Sequence, residues 1–306
     1  MEIRLTSEKG FCFGVRRAIE MAENALTSQE SGRGTNDSRL STGRRLASLG
    51  AIVHNRQVTE RLMDRGMRII ESLDDASGDT LLIPSHGVGR QIMSQIDARD
   101  VIDATCPIVR HAQEIAYRLH REGFMVLVFG DASHTEVKGL LSWSGESGMA
   151  TTRVPKLSPS IRRIGVLSQT TQIQTEFAAF LAQLMDSQLA SLSEIYVFNT
   201  ICDATIRRQA AALQLASEVD LMLVIGGHDS ANTRHLAEIC SSTGVRTLHI
   251  ESADELDRKR SAVSGQRSGV GADNCKLTTV SSIGVAGGAS TPEWVIEEVI
   301  RVISEW

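Results

Sequence analysis

The sequence has no long apolar run. Nothing in its 306 residues approaches the ~18 consecutive apolar residues that span a bilayer. The longest runs, Phe124–Phe129 and Leu221–Ile225, have the length of buried strands. A basic surplus is missing as well: 37 Asp and Glu stand against 32 Lys and Arg, a formal charge of −5. Arg outnumbers Lys, yet no long basic run occurs, which argues against a nucleic-acid partner. The five cysteines include no CxxC pair, so a zinc ribbon, a thioredoxin site and a ferredoxin-type cluster are disfavoured. Their odd number in so long a chain also speaks against a disulfide framework. The opening MEIRLTSEKG is charged and does not read as a signal peptide, so a cytoplasmic protein is expected. Neither a Walker GxxxxGK[ST] sequence nor a GxGxxG after the first strand is present, which disfavours the common nucleotide-binding enzymes.

What is present is a pattern that recurs. The chain is long enough for two or three cores, and short β-branched runs alternate with helical periodicity throughout, the mark of a parallel α/β architecture. Three segments share a finer plan of strand, short polar turn with one cysteine, and amphipathic helix: TSEKGFCFG into VRRAIEMAENAL, ATCPIV into RHAQEIAYRLH, and NTICDAT into IRRQAAALQLA. Cys12 and Cys106 are 94 residues apart, and Cys106 and Cys202 are 96 apart. His134 follows Cys106 by 28 residues, and Ser230 follows Cys202 by the same 28. Further strand tips carry His54, His86, Thr170 and Ser290. The spacing predicts three pseudo-equivalent α/β units, 14–105, 106–200, and 201–306 together with 1–13. In such folds ligands bind beyond the carboxyl ends of the strands, where all of these residues would stand. Two polar, Gly- and Ser-rich stretches, 28–45 and 258–276, read as surface insertions.

A cysteine between a strand and a helix lies where helix N–H groups and dipole favour a thiolate. Singly, each of Cys12, Cys106 and Cys202 reads equally well as a buried core thiol. Three in matched context at near-equal intervals point instead to one metal-binding set. Three converging thiolates suit zinc or an iron–sulfur cluster. A closed zinc site needs a fourth ligand, and no other cysteine shares this context. A [4Fe–4S] cluster on three cysteines leaves one iron without a protein ligand. Cys240 reads as a core thiol and Cys275 as an exposed one. His111, His120 and His249 read as solvated, and His228 and His235 as ambiguous. His54, His86, Ser230, Asn232 and Ser290 suit an oxyanion such as a phosphate or diphosphate. A lone Glu is ordinarily a solvated charge, but Glu136, set between His134 and Gly139, is placed to deliver protons if burial raises its pKa.

The motifs GFCFGVRRAIE, IVHN, SHGV, DATCP, SHTEVKG, SQTT, NTICDATIRRQ, DSAN and GGAS occur in an order that resembles the 4-hydroxy-3-methylbut-2-enyl diphosphate reductases, from residue 3 to about residue 300. The resemblance implies a cloverleaf of three mainly parallel α/β units around one central [4Fe–4S] cluster per chain, with Cys12, Cys106 and Cys202 as ligands. It implies that His54, His86, Ser230, Asn232 and Ser290 grip the substrate diphosphate. Glu136 would be the proton donor, with His134 and Thr170 positioning the substrate hydroxyl or relaying protons. The implied reaction is reductive dehydroxylation of an allylic diphosphate to isopentenyl and dimethylallyl diphosphate, the last step of the non-mevalonate isoprenoid pathway, with electrons from a ferredoxin or flavodoxin. No membrane or nucleic-acid partner is implied. Two departures stand out. Thr135 replaces the family's proline, implying a looser backbone at Glu136, and Ala231 replaces a serine, removing one hydroxyl from the phosphate site. A related enzyme with another substrate and a cluster-bearing sensor without turnover are the competing expectations; the presence of Glu136 argues against the sensor.

Overall fold

The computed structural model describes residues 1–30, 45–76, 78–96, 101–256 and 280–305. Residues 31–44 and 258–276, which hold most of the two expected insertions and Cys275, lie outside them. Among the described residues no helix is long and apolar enough to cross a membrane.

The strands are β1 (Glu2–Leu5), β2 (Leu46–Leu49), β3 (Arg68–Ile70), β4 (Thr80–Ile83), β5 (Val101–Asp103), β6 (Met125–Phe129), β7 (Met149–Thr151), β8 (Arg163–Ser168), β9 (Glu194–Phe198), β10 (Leu221–Ile225), β11 (Arg246–Ile250) and β12 (Ser282–Gly287). The helices are α1 (Phe13–Glu30), α2 (Arg56–Asp64), α3 (Arg90–Gln95), α4 (Pro107–Arg121), α5 (Thr135–Trp143), α6 (Gln174–Gln188), α7 (Asp203–Ala216), α8 (Ala231–Ser242) and α9 (Glu293–Ser304). They form three all-parallel four-stranded sheets, ordered β3-β2-β4-β5, β7-β6-β8-β9 and β1-β12-β10-β11. The chain separates into two compact units: a smaller one of Met1–Cys12 with Asp203–Trp306, and a larger one of Phe13–Cys202 that contains two of the sheets.

The three sheets have the same plan. The two inner strands carry the second and third tips of each repeat, and one outer strand leads to a cysteine. The other outer strands, β3, β7 and β11, carry no expected site residue, but the last carbonyl of each accepts from a glycine N–H just past an inner strand: Ile70 from Gly50, Thr151 from Gly130 and Ile250 from Gly226. The inner strands are continuous apolar runs because helices cover both of their faces. In β10, Leu221, Leu223 and Ile225 pack with Val295, Ile296, Val299 and Ile303 of α9. The alternate residues Met222 and Val224 face Ala212 and Leu215 of α7 and Leu236 and Cys240 of α8. Strand β6 divides in the same way. Val126 and Val128 pack on α4 and α5, while the Phe129 ring meets Phe177 and Phe180 of α6 at centroid distances of 5.4 and 4.9 Å.

Each cysteine marks a hand-over between sheets. Strand β1 pairs with β12, but α1, after Cys12, packs on β2. Strand β5 pairs with β4, but α4, after Cys106, packs on β6. Strand β9 pairs with β8, but α7, after Cys202, packs on β12. The cysteine turns are therefore the points where the chain leaves one layered core and enters the next.

Candidate active site

Cys12, Cys106 and Cys202 each immediately precede the first residue of a helix, α1, α4 and α7 respectively. None is in a disulfide, and all three are half-buried. Each backbone N–H donates to a carbonyl at the neighbouring inner-strand tip: Cys12 to Ala289 at 2.9 Å, Cys106 to Ser85 at 2.8 Å, Cys202 to Thr170 at 2.9 Å. The accepting residue either precedes an expected anion ligand (Ser290, His86) or is itself an expected site residue (Thr170). The repeat read from spacing is thus a repeat in hydrogen bonding. Three accessible thiols at helix N-termini, none of them in a disulfide, are a donor set that fits an iron–sulfur cluster. Cys240 differs: it is fully buried in the smaller unit, and burial pushes its thiol up to about 11.

Within the larger unit, the turns after β2, β4 and β6 bring His54, His86 and His134 together. The His54 ring centroid lies 5.2 Å from His86 and 5.0 Å from His134. Asn55 anchors the first turn, because its side chain caps α2 by accepting from the Val58 N–H at 3.0 Å. His134 caps α5, accepting from the Glu136 N–H at Nδ1, 3.2 Å away. A neutral His134 accepting there carries its proton on Nε2. With His134 as cap, Thr135 is the first helical residue, the position a proline would also occupy. The His134 cap and the first turn of α5 hold the backbone at Glu136. Thr135 instead places its hydroxyl 3.3 Å from Nε2 of His54.

Glu136 is 3% exposed, not a solvated charge. Its Oε1 accepts from the Thr170 N–H at 2.7 Å and its Oε2 from the Thr170 hydroxyl at 2.8 Å. Burial raises its pKa above the ordinary carboxylate value, a shift opposed by the two Thr170 hydrogen bonds and by His54. His86 is shifted the other way, to about 3, first by burial and then by the imidazoles of His54 and His134. It is neutral at physiological pH, and its buried Nδ1 has no hydrogen-bond partner among the described residues. The unfolded chain takes up a proton at His86 below about pH 6.5, and the folded chain does not until about pH 3. The contribution of His86 to stability is thus full above pH 6.5 and is lost as pH falls toward 3. Thermal melts should show a shallower loss of stability between pH 6.5 and 4 for His86→Gln than for the wild type. Parallel curves would contradict this.

In the smaller unit, Ser230 caps α8, accepting from the Thr233 N–H at 3.4 Å. Asn232 is 4% exposed, and both polar atoms of its amide are buried without a hydrogen-bond partner among the described residues, as is the Thr233 hydroxyl. An unsatisfied buried amide costs roughly 1–3 kcal/mol, so this turn has hydrogen-bonding capacity that a polar ligand could use. Ser290, 5% exposed, stands on the turn between β12 and α9. Ala231, the other departure, is the buried first residue of α8. Thr233 carries no signal in the sequence, because a Thr inside a helix is ordinary.

His120 and His249, expected to be solvated, are half-buried. The His249 Nε2 lies 2.9 Å from the Gly226 carbonyl, and its ring lies 4.5 Å from that of His228. Among the described residues one group of three His and carboxylate ligand atoms lies within 4.8 Å, formed by His228, Glu251 and Glu255. It contains no cysteine, and His228 Nε2 already lies 3.1 Å from Glu255. It reads as a surface hydrogen-bonded cluster.

Residues 3–304 match the family model described as LytB protein. The chain is 43% identical over 307 residues to the 4-hydroxy-3-methylbut-2-enyl diphosphate reductase of Dehalococcoides mccartyi strain CBDB1, covering 98% of this chain and 96% of the relative. It is 41% identical to the enzyme of that name from Geobacter sulfurreducens, covering 100% and 98%. A solved structure titled (E)-4-hydroxy-3-methyl-but-2-enyl diphosphate reductase, the terminal enzyme of the non-mevalonate pathway, superposes with a TM-score of 0.65 at 32% identity, covering all of both chains. The structure of the reductase from Plasmodium falciparum, at 24% identity, shares the fold, with a TM-score of 0.82 over 99% of this chain and 88% of that one. The chain belongs to the LytB family and is an oxidoreductase.

Proposed function

We propose that the chain reduces (E)-4-hydroxy-3-methylbut-2-enyl diphosphate to isopentenyl and dimethylallyl diphosphate, using one [4Fe–4S] cluster held by Cys12, Cys106 and Cys202. The observation that carries this reading is the buried Glu136, locked by Thr170 at both oxygens beside three histidines, in a chain of this family. A sensor would need the cysteines but not a buried acid.

When bound, the cluster supplies electrons one at a time and an iron without a protein ligand. The residues of the chain do the rest. His54, His86, Ser230, Asn232 and Ser290 bind the diphosphate, so that binding energy at that end orients the allylic carbon. Glu136 holds a proton to higher pH than an exposed carboxylate would, and gives it to the departing hydroxyl, which leaves as water. Thr170 fixes that carboxyl and, by reversing its hydroxyl, can pass the next proton toward it. His134 holds the first turn of α5, on which Glu136 stands. Two electrons and two protons enter, the C–O bond breaks, a C–H bond forms and one water departs. The electrons come from a ferredoxin or flavodoxin. We further propose that the larger unit divides near residue 105 into the two repeats read from the sequence.

The test is anaerobic purification, measurement of absorption and iron, and assay of the diphosphate substrate with a reduced viologen dye. Iron with turnover supports the reading. No iron sinks it, and tight substrate binding without turnover favours the non-catalytic class. His54→Ala should weaken diphosphate binding by about 10- to 100-fold, the worth of one hydrogen bond to a charged group, about 1.5–3 kcal/mol. Its cluster absorption should be unchanged; loss of the cluster in this variant would mean that His54 has been misassigned.

A further inference from the structure

We propose that Arg208 and Arg17 are positioning residues that fix the backbone immediately before two of the cysteines, a role that rests on the cysteines being cluster ligands. Arg208, on α7, is 4% exposed. Its guanidinium donates to the carbonyls of Glu8 at 3.2 Å, Gly10 at 2.7 Å and Gly287 at 3.2 Å. Two of these acceptors belong to the turn that ends in Cys12. Arg17, on α1, donates to the carbonyl of Thr105 at 3.2 Å, in the turn that ends in Cys106, and to that of Asp103, the last residue of β5, at 3.4 Å. The two contacts follow one rule along the sequence. The helix after Cys202 sends an arginine to the turn before Cys12, and the helix after Cys12 sends one to the turn before Cys106.

Peptide planarity gives these contacts their consequence, because the C=O and N–H of a trans peptide point in opposite directions. In the Thr105–Cys106 peptide the carbonyl is held by Arg17 and the N–H by the Ser85 carbonyl at 2.8 Å. That plane is gripped at both ends directly before the thiol. In the Cys12 turn, the Gly10 carbonyl is held by Arg208, and the Cys12 N–H, one peptide later, by Ala289 at 2.9 Å. Only a rigid multi-donor fork can hold two or three carbonyls at once, which a lysine ammonium on a flexible stem does poorly. The guanidinium thus acts as a staple from the incoming helix onto the ligand turn of the preceding sheet.

The experiment compares the anaerobically purified full chain with Arg17→Met and Arg208→Lys. Arg208→Met is avoided because it would strand buried carbonyls and endanger folding. Iron release to a chelator is followed well below the melting temperature, and the liberated thiols are trapped with an alkylating agent and mapped by mass spectrometry. Loss of groups that orient metal ligands typically costs about 10- to 100-fold in metal affinity, so iron release should accelerate on that scale in both variants. The map carries the distinction from a merely structural role. Arg17→Met should speed alkylation of Cys106 and leave Cys12 near its wild-type rate, and Arg208→Lys should do the reverse. Arg17→Lys should restore part of the wild-type behaviour. A uniform rise at all three cysteines, or no change, would overturn the proposal. Absence of iron from the wild type would remove the cluster reading, and the alkylation map measured directly on the chain would then decide the staple alone.

Discussion

Glu136→Gln is expected to lose turnover by about 10²- to 10⁴-fold, the usual contribution of a positioned acid, while melting at a higher temperature than the wild type at neutral pH. The two effects share one cause. Burial raises the pKa of Glu136, so the folded state favours its protonated form. The stabilising contribution of that form is complete below the unfolded carboxylate pKa of about 4.3 and is lost as pH rises through the folded value. A neutral glutamine does not suffer this loss. It also keeps both contacts, because its oxygen can accept from the Thr170 N–H and its amide can donate to the Thr170 hydroxyl, replacing the bonds now at 2.7 and 2.8 Å. The gain should be about 0.5–2 kcal/mol, the range found when a strained functional group is relieved. It should vanish toward pH 4 and grow toward pH 8. Anaerobic melts of both proteins across that range, with the viologen assay alongside, check the pair of claims. A variant less stable at every pH would show that the carboxylate is a structural anchor, and a variant with full turnover would remove Glu136 from the chemistry.

The cysteine set was legible in the sequence because a repeat leaves its period in chain spacing. A cysteine turn between a strand and a helix recurs once per sheet, and intervals of 94 and 96 residues record that. The tips with His54, His134, Ser230, His86, Thr170 and Ser290 were legible for the same reason, since buried inner strands read as short apolar runs ending in polar turns. The outer strands β3, β7 and β11 were not. Each is paired on one side only and half-solvated, so its composition does not separate it from a loop. The hand-over at each cysteine leaves a trace in the sequence, where a polar turn with a cysteine separates a strand from the helix that follows. Hydrogen bonds from long side chains to distant carbonyls leave no period at all. Arg208 offered a faint signal, because it interrupts the buried face of α7 formed by Thr205, Gln209, Ala212 and Leu215. An arginine on an otherwise buried face must find acceptors inside. Thr135 shows the opposite limit. The family pattern points only to a missing proline, whereas the structure shows a first turn of α5 capped by His134 and a hydroxyl facing His54.

Gly14→Ala is the substitution expected to remove the most iron at the least cost to the fold. Gly14 lies in the first turn of α1 with ordinary helical neighbours, and alanine is the best helix former, so on propensity alone the change should stabilise the helix by up to about 1 kcal/mol. Its surroundings reverse that expectation. A Cβ on Gly14 would sit 2.5 Å from the Cys106 Sγ and 3.0 Å from its Cβ, closer than atoms in contact can approach. One of the two must move, and overpacking of this kind costs about 1–3 kcal/mol. The Cys106 backbone is held by its N–H bond to Ser85, and the preceding carbonyl by Arg17. The side chain is therefore the part that yields, and rotation to another rotamer redirects the Cys106 Sγ. The chain should fold with unchanged helix content by circular dichroism while iron per chain falls to about a tenth of the wild-type value or less, as loss of a ligand from a three-cysteine set demands. Gly14→Ser, of similar bulk but with a hydroxyl, should behave alike, since the clash and not polarity decides. Iron analysis with absorption spectroscopy reads the outcome. Full iron loading in Gly14→Ala would mean that Cys106 is not a ligand or that α1 can shift bodily, and a melting temperature unchanged from wild type would point to the former.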